Sequence, residues 1–150
     1  MSPKSIIALP LVALFATTAQ SQTASEGGRK FTTELTGEAE VTAAGVPNQG
    51  DLDGSGTATL TINPGQGRIC YTLQVSGIAP AAAAHIHEAP ATTTGPVIVP
   101  LEAPTDGDSA ACATVDRELA KDILKNPADY YVNVHNADFP AGALRGQLSK

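Results

Sequence analysis

The chain has 150 residues, two cysteines, no tryptophan and 15 acidic against 9 basic residues, a formal charge of −6. A chain this acidic, without a basic run, cannot hold a phosphate backbone through bulk electrostatics, and this excludes nucleic acid as a partner. Its length allows one domain with a real core and is too short for two once an N-terminal leader is removed.

Taken in chain order, residues 1–24 read as a signal peptide and leader. Lys4 is a short positive region, Ile6 to Ala16 is apolar apart from Pro10, and Thr17-Thr18-Ala19 supplies small residues for cleavage. The run is short for a bilayer span, and no second apolar segment of spanning length follows. The expectation is a secreted or periplasmic protein with no transmembrane anchor after processing, with an uncleaved anchor as the alternative. Residues 25–150 then form the domain.

Lys30 to Val41 reads as a strand, and Gly45 to Gly56 as a long loop rich in Gly, Asn and Asp. Thr57, Thr59 and Thr61 alternate with Ala58, Leu60 and Ile62, the pattern of a half-buried strand. The turn Asn63-Pro64-Gly65-Gln66-Gly67 joins it to a returning strand, Arg68 to Val75. Further strands are predicted at Ala84–Ala89, Pro96–Leu101 and Ala110–Val115. Asp116 can cap a helix with apolar positions Leu119, Ile123 and Leu124, ended by Asn126-Pro127. Strands at Tyr130–His135 and Ala143–Leu148, joined by a turn at Phe139-Pro140-Ala141-Gly142, complete the chain. About eight short strands, one short helix and no alternation of strand with helix predict an all-β, antiparallel β-sandwich.

All three histidines fall in two of these strands. Side chains alternate across a strand, so His85 and His87 share one face and Ile86 takes the other. His135 likewise shares a face with Asn133 and Tyr131. If the strands are neighbours, three imidazoles converge, as a site for copper or zinc or as a hydrogen-bonded histidine cluster. Asn133 is a candidate to orient the His135 ring, and Asn136 and Asp138 flank the following turn. Glu88 points away from the pair. Arg145, the basic residue close to the second run, either pairs with a carboxylate or faces the imidazoles and attracts anions. Tyr71, Tyr130 and Tyr131 are expected in sandwich packing. Asp51-Leu52-Asp53-Gly54-Ser55-Gly56 starts like a calcium loop but lacks the closing acid, so a surface turn is expected. There is no Gly-x-Ser-x-Gly nucleophile elbow.

Cys70 and Cys112 each lie in a predicted strand. Export and the even count predict one disulfide between them, against the alternatives of two buried thiols or thiolate metal ligands.

At Cys70-Tyr71-Thr72-Leu73, Ala84-His85-Ile86-His87, Gly95-Pro96-Val97-Ile98-Val99-Pro100-Leu101, Tyr130-Tyr131-Val132-Asn133-Val134-His135-Asn136 and Phe139 to Leu148, the chain resembles the CHRD (chordin-type) domain. The resemblance runs from about Lys30 to Leu148 and implies an exported domain without assigning it a reaction. His85-Ile86-His87-Glu88, Tyr131–Asn136 and Ala141–Arg145 are, more distantly, similar to segments of copper-zinc superoxide dismutases. That likeness implies a Greek-key sandwich with His85, His87 and His135 at copper-ligand positions and Arg145 as an anion guide. The chain departs from that family in lacking a fourth histidine to bridge copper to zinc. The resulting expectation is a binding or structural module with a three-histidine copper or zinc site and an unspecified protein or extracellular partner. The alternatives are a copper oxidoreductase related to dismutases, and an adhesion or matrix module with purely structural histidines.

Overall fold

Apolar residues at every second position decide the strands of the computed structural model, which describes residues 27–150. In β2 (Ser55–Asn63), Ala58, Leu60 and Ile62 are fully buried while the intervening threonines face outward. The same alternation builds β1 (Arg29–Thr36), β3 (Arg68–Ser76), β4 (Ala81–Glu88), β5 (Val97–Leu101) and β6 (Asp108–Thr114). The helix α1 (Arg117–Lys125) and a short 3-10 turn (Pro127–Asp129) separate β6 from β7 (Tyr130–Asn136) and β8 (Leu144–Gln147). Asp116 caps α1 as expected, its carboxylate accepting from the Glu118 and Leu119 backbone N–H groups. The expected signal peptide, residues 1–24, lies outside the described residues.

The strands form one antiparallel sheet in the order β5-β4-β7-β8-β1-β2-β3-β6. It curls until its edge strands β5 and β6 approach each other without forming a ladder. Read around the resulting barrel, β4, β5 and β6 are consecutive and β3 lies beside β6, a Greek-key arrangement. Leu35, Leu60, Ile69, Leu73, Ile86, Val132 and Leu144 fill the interior. Cys70 and Cys112 sit directly opposite each other in the β3–β6 ladder and are disulfide-bonded. The two barrel halves thus share one core, and β6 is fastened covalently to its single ladder partner.

Several boundaries differ from the sequence reading. β1 stops at Thr36 rather than continuing to Val41, because Gly37 turns the chain. A Cβ on Gly37 would overlap the Asp51 backbone, and its carbonyl accepts from the Glu40 and Gly50 N–H groups. The loop therefore begins at Gly37 instead of Gly45 and carries Glu40 into a buried position. β4 begins three residues earlier than expected, at Ala81, since the small alanines fit the ladder to β7. Asp51 accepts from the Asp53 backbone N–H, which makes the calcium-like segment a local turn.

Candidate functional site

β4 and β7 are adjacent, with His85 opposite Asn133, His87 opposite Tyr131 and His135 opposite Ala83. Ala84, Ile86, Val132 and Val134 of these strands face the core. The two-residue period therefore places His85, His87, Tyr131, Asn133 and His135 together on the outer side. The three imidazoles converge: one ring nitrogen from each lies within 4.8 Å of the others. His85 Nδ1 and His135 Nε2 are 3.2 Å apart.

Two backbone carbonyls decide which nitrogens carry lone pairs. His87 Nδ1 lies 2.9 Å from the Gly95 carbonyl and His135 Nδ1 lies 3.1 Å from the Pro140 carbonyl. A carbonyl only accepts, so each Nδ1 carries the proton and each Nε2 presents a lone pair. His87 Nε2 is buried and has no hydrogen-bond partner, an arrangement that costs about 1–3 kcal/mol. A ring with one nitrogen pinned by a carbonyl and the other free toward a cluster has the form of a metal-ligating histidine. His85 completes the set through Nδ1, either by donating to His135 or by offering its own lone pair.

The outer face is buried by a second, polar layer that the sequence reading did not anticipate. Tyr131 stacks on His87 with centroids 4.8 Å apart and planes 9° from parallel. Arg145 Cζ lies 3.6 Å from the centre of the same tyrosine ring. Arg145 is 1% exposed, and its guanidinium donates to the Thr93 and Pro90 carbonyls and to Gln147 Oε1. It clamps the loop that carries Gly95, and its burial removes the anion-guide role that the dismutase likeness implied. The Tyr131 hydroxyl accepts from the Gly95 N–H, tightening the same loop.

Asn133 also takes a different part from the one expected. Its amide donates to Glu40 and to the Leu144 carbonyl, and the His135 ring is held by Pro140 instead. Glu40 was missed altogether. Its carboxyl is pushed above the usual range by burial, an effect opposed by the Val41 N–H, Arg145 and Asn133. Gly142 leaves the space for it: a Cβ there would collide with Glu40 and Asn133. Asn136 serves its turn by accepting from the Phe139 N–H, and Glu88 is exposed on the opposite face. Tyr71 and Tyr130 belong to the core as expected, while Tyr131 belongs to the site. A groove of about 560 Å³ lined by Glu34, Gly56 and Gln74 includes none of the histidines.

Burial lowers the pKa of all three histidines. Neighbouring charge adds to this: His135 and His87 act on His85, Arg145 on His87, and His87 on His135. With folded-state values depressed, the unfolded chain protonates first, near pH 6.5. The histidine contribution to stability is complete above that pH and is lost as pH falls below it. Metal-free protein should therefore show a lower urea midpoint at pH 5 than at pH 7.5, and a His85→Gln, His135→Gln variant a smaller drop. Equal drops in the two proteins would refute this.

A Greek-key β-barrel with a loop-covered polar patch of histidines on its outer wall defines the class of protein. The family model described as the CHRD domain matches residues 31–148. The chain belongs to the CHRD domain family. No curated protein and no solved structure matches it, so the likeness to dismutases rests on the motif residues alone.

Proposed function

We propose that this chain is an exported CHRD-domain binding module whose His85, His87 and His135 hold one copper or zinc ion. The observation that carries the reading is His87: Nδ1 is tied to Gly95, Nε2 is buried and unpartnered, and a nitrogen of this ring lies within 4.8 Å of one from each of the other two. Imidazole nitrogen suits both metals, and three such ligands leave an open position for water or a small anion. A metal held there would supply an electrophilic centre. The chain's own contribution is orientation, through the Gly95 and Pro140 carbonyls and the Tyr131 stack.

The residues 1–24 pattern and the Cys70–Cys112 disulfide support export to an oxidising compartment. Among the described residues no helix is long and apolar enough to cross a membrane. A purely structural histidine cluster is favoured by one contact, the 3.2 Å approach of His85 to His135, which satisfies two rings without an ion. It leaves His87 Nε2 unexplained.

Calorimetric titration of the disulfide-intact protein with zinc decides between them. One tight site is expected, weakened at least a hundredfold in a His85→Ala, His135→Ala variant that keeps its circular dichroism spectrum. Equal affinity in the two proteins would leave the structural reading.

A further inference from the structure

We infer that the site selects its ion by charge and takes monovalent copper, Cu(I), in preference to divalent zinc or copper, with Arg145 as the selecting residue. This rests on the metal reading above. The three candidate donors are neutral imidazoles, and no carboxylate is among them. The acid next to the pair, Glu88, is exposed on the other face of the strand. An ion here would bring its full charge among donors that carry no negative charge.

Beneath that patch sits a fixed positive charge. Arg145 packs on one ring, Tyr131, that also stacks on His87. The guanidinium is held by two carbonyl oxygens and an amide oxygen, all neutral acceptors. The ion pair formed among the described residues, Lys121 with Glu118, lies on the exposed helix surface and does not involve it. Glu40 is the buried acid that couples to Arg145, and its oxygens also accept from Val41 and Asn133. The charge of Arg145 acts on His87, whereas Glu40 is not among the groups that shift any of the three rings.

A fixed charge repels a bound ion in proportion to that ion's own charge, so a divalent ion suffers twice the penalty of a monovalent one. At an effective dielectric of about 20, a unit charge roughly 10 Å away disfavours each unit of ion charge on the order of tenfold. Imidazole by itself does not separate copper from zinc. Here the charge beneath the ligands does. Cu(I) also tolerates low coordination, so three neutral nitrogens suffice without an anionic fourth ligand.

The test uses disulfide-intact protein under anaerobic conditions. Cu(I) affinity is measured in competition with bicinchoninate, and Zn(II) affinity in competition with a chromophoric chelator. The wild type should bind Cu(I) more tightly than Zn(II). The ratio of the two affinities should fall by roughly tenfold in Arg145→Met and be kept in Arg145→Lys. Gln147→Glu places a carboxylate beside the guanidinium without removing it and should lower the ratio in the same direction. This variant decides the matter if Arg145→Met does not fold. A ratio unchanged in Gln147→Glu, or a wild type that prefers Zn(II), would overturn charge selection while leaving the metal site standing. Failure of both ions to bind, or binding indifferent to His87→Ala, would instead remove the metal reading itself.

Discussion

Zinc at a free concentration a hundredfold above its dissociation constant should stabilise the native protein by about 2.7 kcal/mol. For a chain of this size that corresponds to a rise in melting midpoint of roughly 5–10 °C. The gain arises because the unfolded chain has no converged histidines: His85 and His135 are 50 positions apart and meet only when β4 pairs with β7. Removing the metal with a chelator should return the midpoint to its starting value. A His87→Ala variant should show a much smaller rise, since the ring with the unpartnered Nε2 is gone. A midpoint indifferent to zinc in the wild type, measured by scanning calorimetry, would contradict the proposed site.

Replacing both Cys70 and Cys112 by alanine should destabilise the protein by about 4 kcal/mol, the chain-entropy value for a loop closed across 42 positions. The expected loss in melting midpoint is roughly 10–20 °C. The effect should concentrate in β6. That strand pairs with β3 alone, meets β5 without a ladder and is nowhere fully buried along its length. Hydrogen exchange of Ala111 and Ala113 should accelerate more than that of Val132 and Val134 in β7, which pairs on both sides. Uniform acceleration across the two strands would show instead that β6 opens only when the whole barrel does.

The sequence displayed most of the fold because its signals are local. Alternation in Thr57–Ile62, the turn at Asn63–Gly67 and the cap at Asp116 each depend on a few neighbouring residues, and each element is found where it was expected. The His-x-His spacing likewise placed two rings on one face, and the sheet brought His135 to them. What stayed hidden depends on distant partners. Glu40 looked like the end of a strand; only the turn at Gly37 and a contact with Asn133, 93 positions away, make it a buried acid. Tyr131 read as packing because nothing local shows that His87 will stack on it. Arg145 read as the partner of a carboxylate or as an anion guide because its acceptors, Pro90 and Thr93, are more than 50 positions earlier. The boundaries of β1 and β4 failed for a related reason, since strand ends are decided by the neighbour available to pair.

The residues that tie the histidine loop down arrive late. Arg145 clamps Pro90 and Thr93, Gln147 holds Ala89 and Ala128 through its amide, and the Leu148 N–H bonds the Tyr130 carbonyl. β8 is also the strand that joins β7 to β1. A growing polypeptide that has made all three imidazoles but not yet residues 144–148 therefore has its ligands without the frame that aims them. If the site holds an ion as proposed, capture waits until synthesis has passed that point, and, if the chain is exported as proposed, until the same stretch has emerged on the far side.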